Sequence, residues 1–167
     1  PPRKQNTHKG SFGRLHIFAG SRKYRGAAHL SALGAVRTGV GLVKVSTEEE
    51  VICLTGRRLP ELLYESIKPL TELSEAEIYE CVCGADAADA ILIGPGCGVS
   101  EALYRMTELL ASREGAPLVL DADALGAIAA YAPDVDAFFA SAKRSLALTP
   151  HPLEFGRLIR ATPAEVQ

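Results

Sequence analysis

The stretch AILIGPGCG, residues 90–98, constrains this chain more than any other. Four apolar residues in a row leave no polar face. As a strand, the run must be covered on both sides, which is the situation inside a parallel sheet flanked by helices. It then breaks into a turn of three glycines and a proline, where backbone without side chains bends sharply. APLVLDADAL, residues 116–125, repeats the arrangement: an apolar run that stops at two aspartates.

The remaining segments supply the alternation that such a sheet needs. RLHIFAG (14–20), GLVKVST (41–47), ELLYESI (61–67) and SLALTPHP (145–152) read as further strands. Between them lie helical patterns. Residues 24–39 are rich in small residues and close on Gly39. Thr47 and Glu50 read as a T-x-x-E capping box for a helix carrying Val51, Ile52 and Leu54. Ser74 and Glu77 read as a second box, for a helix over 74–84. Residues 100–114 place Leu103, Met106, Leu109 and Leu110 on one face, and helices follow near 124–131, 134–141 and from about 153. Strand, helix, strand in regular order predicts an α/β fold: a six-stranded parallel sheet with helices on both faces.

Composition narrows the function. The chain has 167 residues, 47% of them hydrophobic and 23% charged, enough for one core. A net charge of −2 gives no general attraction to nucleic acid or to an anionic membrane. The basic run Arg3, Lys4, His8 and Lys9 is local and reads as a solvated tail. No apolar run approaches the roughly 18 residues that a membrane span takes, and no signal-peptide pattern opens the chain. Cys53, Cys81, Cys83 and Cys97 lack metal-type spacing and read as reduced thiols in a cytoplasmic protein. Both ends read as cut points. PPRKQNTHKG, residues 1–10, has the character of a linker. ATPAEVQ reads as the start of another helix, with Thr162 as cap, Pro163 at its first position and Glu165 at its third.

In open parallel sheets, ligands bind beyond the carboxyl ends of the strands. The unusual residues of this chain gather there: Gly20 and Ser21, the turn Gly94 to Gly98, Asp121 and Asp123, and Thr149 with His151. The glycine turn reads as a place where a phosphate or a ligand backbone approaches closely, with the helix from Ser100 aiming N–H groups at it. The alternative is a plain tight connection. It is not a dinucleotide fingerprint, and no Walker A sequence occurs. Asp121 and Asp123 suit a metal-bound water, a substrate hydroxyl or a ribose. One of them is expected to cap the helix at Ala124 while the other faces the crevice. His151 is held stiffly between Pro150 and Pro152; the alternative is a bystander at a strand–helix junction. His16 and His29 read as structural.

Four stretches then join up. HKGSFGRLHIFAGSRKYRGAAHLSALGAVRTGVGLVKV, ILIGPGCG, LVLDADALGAIA and LTPHPLEFGRLI together resemble the ADP/ATP-dependent NAD(P)H-hydrate dehydratases, from about residue 8 to 160. These are carbohydrate-kinase-type members of the ribokinase-like superfamily. The resemblance implies a ribokinase-like parallel sheet, truncated, with residues 1–167 as the N-terminal portion of one dehydratase domain. It implies repair of hydrated NADH or NADPH: the C6 hydroxyl of the S epimer is phosphorylated from ADP or ATP, with Mg²⁺, and phosphate then leaves. Ala27, a glycine of the turn (Gly96, then Gly98) and His151 are expected to line the hydrate site. Asp121 and Asp123 are expected near the phosphates and the metal. Leu153, Gly126, Cys97 and Ser11 depart from the family's usual residues.

The resemblance also implies what to expect outside these residues. The family's catalytic aspartate belongs to a Gly-Thr-Gly-Asp motif, which the 167 residues do not contain. No catalytic residue or protein metal ligand is therefore assigned within them, and alone they are expected to be inactive. The linker-like start is similar to the junction that follows an epimerase domain in fused enzymes. A sheet ending at its sixth strand exposes an edge and an apolar face, which predicts association with another copy, a partner or a further segment. Two other readings stay open: a different ribokinase-like kinase, for hydroxymethylpyrimidine or a sugar, and a non-catalytic binding module.

Overall fold

The computed structural model describes residues 9–161, 165 and 166. Six parallel strands form one sheet: β1 (Arg14–Phe18), β2 (Leu42–Thr47), β3 (Leu63–Ser66), β4 (Ala90–Ile93), β5 (Leu118–Leu120) and β6 (Leu146–Leu148). Their order is β3-β2-β1-β4-β5-β6. The chain winds outward from β1 to β3, then returns to place β4 on the other side of β1. That reversal opens a crevice between the loops leaving β1 and β4.

Helices α1 (Arg25–Thr38), α2 (Glu49–Thr55), α3 (Glu75–Gly84), α4 (Glu101–Ser112), α5 (Asp123–Tyr131), α6 (Val135–Ala140) and α7 (Pro152–Leu158) fill the connections. Two cores result, one on each face. Phe18, Ile91, Ile93, Leu118 and Leu120 pack with the buried sides of α3, α4 and α5. Ile17, Ala19, Val43 and Val45 pack with α1 and α2. Helix α1 buries only alanines, at 28, 32 and 35, so it lies close on the sheet. In α4, Leu103, Met106 and Leu110 are buried and Leu109 half-buried, as their spacing predicts.

The strand ends are in register. Phe18 pairs with Ile93, Ile93 with Leu120, and Leu120 with Leu148. The next residues keep the ladder going: Gly94 N–H donates to Phe18 O, Asp121 N–H to Ile93 O, and Thr149 N–H to Leu120 O. The loaded residues of β1, β4, β5 and β6 thus leave the sheet along one edge.

Local signals mostly hold. Ser74 and Glu77 form the expected capping box on α3. The box at Thr47 and Glu50 does not form. β2 runs on through Thr47, whose hydroxyl is buried, Glu48 becomes the N-cap, and the Glu50 carboxylate pairs with Arg22 instead. Lys9 and Gly10, expected within a linker, sit in a 3-10 turn over Lys9–Phe12. A Cβ on Gly41 would lie 1.7 Å from the Lys9 carbonyl oxygen, so this turn is packed into the fold. Thr162 and Pro163, expected to open another helix, lie outside the described residues.

His16 is one of the polar residues buried in the core. It is 2% exposed, stacks on Phe18 at 4.3 Å, and its Nε2 lies 2.7 Å from Ser46 Oγ. Ser46 donates to Glu65 at 2.6 Å, and Lys44 holds the other Glu65 oxygen at 2.9 Å. Burial, with Lys44 nearby, pushes the His16 pKa down to about 4. Burial works against the Glu65 charge, but the hydrogen bonds from Ser46 and Lys44 outweigh it and hold the carboxyl below its usual value. Ser46 has one hydrogen and gives it to Glu65. The His16 ring also hydrogen-bonds the backbone at Gly84. The expectation of a structural His16 is met by its burial, its stack on Phe18 and its hydrogen-bonded contacts.

Candidate functional site

The crevice at the β1–β4 reversal is built by close backbone packing. Gly20 N–H donates to Pro95 O at 2.7 Å and ties the two loops together. Two glycines are obligatory. Gly94 has φ +123, and a Cβ there would lie 1.9 Å from the Asp121 carbonyl oxygen. Gly96 has φ +66, and a Cβ there would lie 2.7 Å from the Cβ atoms of both Tyr24 and Ala27. Only glycine fits either place. Gly96 and Ala27, expected to admit a ligand, are thus brought together against each other. They seat the start of α1 on the glycine turn.

In front of them lies a cleft of about 770 Å³. Ser21, Arg22, Lys23 and Tyr24 enter it from β1, Glu48 from β2, Pro69, Thr71 and Glu72 from β3, Cys97, Gly98 and Val99 from β4, and Asp123 from β5. Of the expected residues, Gly98 and Asp123 are on its wall. Tyr24, Lys23, Thr71 and Val99 carry no motif and were missed. The available signal was position: SRKYR directly follows the first strand end. A smaller, mainly apolar hollow of about 140 Å³ lies at the amino ends of the strands, by Leu15, Leu42 and Leu63, away from the reversal.

Charge in the cleft is mixed. Arg22 makes a two-pronged ion pair with Glu50, and its backbone N–H donates to Glu48 at 3.1 Å. The Arg22 hydrogen bond holds the Glu50 carboxyl below the usual carboxylate range. Lys23 Nζ sits 5.2 Å from the centre of the Tyr24 ring. Cys97 is buried, with its thiol donating to Phe18 O at 3.3 Å and pushed up in pKa by burial. It packs rather than reacts. All four cysteines are free.

The two aspartates depart from expectation: neither side chain caps α5. The N-cap is Ala122, with φ 48 and ψ −114 and no side-chain bond. That reversed backbone turns Asp123 away from its own helix and across to the glycine turn, where its Oδ2 accepts from Gly98 N–H at 2.8 Å. Asp121 accepts from Thr149 Oγ1 at 2.8 Å. At α4, Ser100 takes the Leu103 N–H at 3.1 Å. The glycine turn and the helix after it are therefore less open to a phosphate than their sequence suggests.

His151 lies at the fourth strand end, and its side chain is 57% exposed. It is the N-cap of α7. Nδ1 accepts from the N–H groups of Leu153 and Glu154, at 3.2 and 3.3 Å, and Nε2 lies 3.1 Å from Glu154 Oε1. Glu154 in turn accepts the His151 N–H at 3.0 Å. With Pro152 at the first position this is a complete capping box, built around imidazole rather than a hydroxyl. His151 does not reach the cleft wall.

Among the described residues, no group of three or more His, Cys, Asp or Glu side chains is placed to hold a metal ion. Asp121 and Asp123 each have one oxygen hydrogen-bonded within the protein, to Thr149 and to Gly98. Among the same residues, no helix is long and apolar enough to cross a membrane.

The sequence matches the family described as NAD(P)H-hydrate dehydratase (Carb_kinase) over residues 15–167. It is 37% identical over 157 residues to the ADP-dependent (S)-NAD(P)H-hydrate dehydratase of Lactococcus lactis, which covers 93% of this chain and 52% of that protein. It is 35% identical over 168 residues to the bifunctional NAD(P)H-hydrate repair enzyme Nnr of Escherichia coli, covering 99% of this chain and 29% of the relative. Among solved structures, the ADP/ATP-dependent NAD(P)H-hydrate dehydratase of Bacillus subtilis, co-crystallized with ATP/Mg²⁺, superposes with a TM-score of 0.76 at 32% identity. That match covers all of this chain and 54% of the other. The chain thus spans about half the length of the single-function relatives and about a third of the bifunctional ones.

Proposed function

The chain belongs to the NAD(P)H-hydrate dehydratase family, and from that premise we propose that its crevice binds the hydrated form of NADH or NADPH for nucleotide-dependent repair in the cytoplasm. The observation that carries the reading is the cleft at the β1–β4 reversal, where the aligned strand ends bring Tyr24, Gly98 and Asp123 to one wall.

On this reading Ala27 and Gly96 form the backing of the hydrate site and Gly98 its surface. His151 stands off the cleft wall, so a contact with the hydrate is with a part of the ligand that extends beyond the cleft along the strand ends. A phosphoryl group passes from ADP or ATP to the hydroxyl oxygen at C6 of the S epimer. The C6–O bond then breaks and phosphate leaves with the electron pair as the ring nitrogen forms C6=N⁺; loss of a proton from C5 returns the nitrogen's electrons and restores the C5=C6 double bond. Phosphate leaves where hydroxide would not. Asp121, held by Thr149, is on the side of the transferring phosphate. Mg²⁺ would come with the nucleotide, bound through its phosphates; no step here runs through it. The open edge of β6 serves association with another copy or with a further segment of the domain.

The test has two readouts on the 167-residue chain. The S hydrate is expected to raise its unfolding temperature saturably, while hydroxymethylpyrimidine does not. With ADP or ATP added, no reduced nicotinamide is expected to form, because the sequence holds no Gly-Thr-Gly-Asp motif. Failure of the hydrate to stabilise the chain would overturn the binding site. Turnover would overturn the claim that these residues alone are inactive.

A further inference from the structure

The carboxylate on the glycine turn points to the kind of group the cleft accepts. A glycine-rich turn before a helix ordinarily offers its N–H groups to an anion. Here Asp123 has taken the N–H of Gly98, the turn residue that lines the cleft. Glu48 and Glu72 lie along the same cleft. A phosphate at this point would meet a carboxylate where it needs donors. The second oxygen of Asp123 is an acceptor, and its complement is an N–H or O–H group.

Two exposed side chains with apolar surface line the same cleft. Tyr24 is 47% exposed and Val99 46% exposed, and both line the cleft. A Cβ on Gly96 would fall 2.7 Å from the Tyr24 Cβ, so the glycine leaves room for Tyr24 beside the turn. A phenol ring offers a broad stacking face with only two side-chain torsions to fix. From this pairing we infer that Asp123 and Tyr24 read the carboxamide-bearing ring of the ligand: Asp123 accepts from the carboxamide NH₂ and Tyr24 stacks on the ring. This rests on the proposed function and deepens it. Asp121 keeps the phosphate side of the site; Asp123, expected there too, is assigned to the ring.

A matched pair of probes separates the possibilities. Nicotinamide mononucleotide carries the amide donor, and nicotinic acid mononucleotide replaces it with a carboxylate. Each is titrated into the 167-residue chain while the Gly98 backbone amide is followed by NMR. Wild type is expected to prefer the amide by at least about tenfold, since the acid sets two carboxylates together. Asp123→Asn keeps an acceptor for Gly98 N–H and gains an NH₂ donor. It is expected to erase or invert the preference with an otherwise unchanged amide spectrum. Tyr24→Ala is expected to weaken both probes by a similar factor, and Tyr24→Phe to change neither. A wild-type preference that survives Asp123→Asn overturns the inference, as does equal binding of the two probes. If neither probe moves Gly98, the nicotinamide reading of the cleft itself falls.

Discussion

At the scale of single residues, the chain spends histidine on structure. His16 is neutral in the folded protein, with its pKa lowered from 6.5 to about 4 chiefly by burial. The unfolded chain takes up that proton below about pH 6.5, so it binds more protons than the folded chain between the two values. Stability is therefore full above that range and falls as pH drops through it, by up to about 3 kcal/mol. Glu65 acts in the same sense, because its carboxyl is held below its unfolded value. His16→Phe keeps the stack on Phe18 and removes the proton site. Urea unfolding at about pH 7 and pH 5 should show wild type losing about 2 kcal/mol more than the variant. Equal losses would mean that His16 is not neutral in the fold. His151 was partly legible: H-P-L-E spells an N-cap, a proline and a glutamate at the third helical position, although histidine is not among the usual caps.

At the scale of elements, the junction between β5 and α5 holds the stress. Ala122 adopts φ 48 and ψ −114, outside the regions an L-residue prefers. The Asp121 carbonyl packs where a Cβ on Gly94 would fall, and Asp123 is anchored across the turn on Gly98. Ala122→Gly should relieve the strain and raise stability by about 1 kcal/mol in thermal unfolding. A loss of similar size would show that the conformation is not strained. This junction was illegible in D-A-D. Local spacing offers an aspartate cap, whereas the structure commits Asp123 to Gly98 N–H and Asp121 to Thr149, both distant in sequence. The same holds at α2, where Glu50 is drawn to Arg22 from a distant loop. By contrast, the strands and the Ser74 box depend on neighbours in sequence, and both were readable.

At the scale of the whole molecule, strand–helix alternation is enough to predict a parallel sheet, and the structure has one. The neighbour order was beyond local patterns, because β1 beside β4 is a pairing across more than seventy residues. That pairing makes the crevice. Four motifs located its strand ends, whereas Tyr24, Thr71 and Val99 enter only because the fold brings their loops to one cleft. The central claim is that this cleft, and no other surface, receives the hydrated nicotinamide nucleotide. The most direct measurement is a residue-resolved NMR titration of the chain with the S hydrate of NADPH. Saturable shifts are expected at the backbone amides of Ser21, Tyr24, Gly98 and Asp123. Saturable shifts confined to the hollow at Leu15, Leu42 and Gly84, or no saturable shift at all, would contradict it.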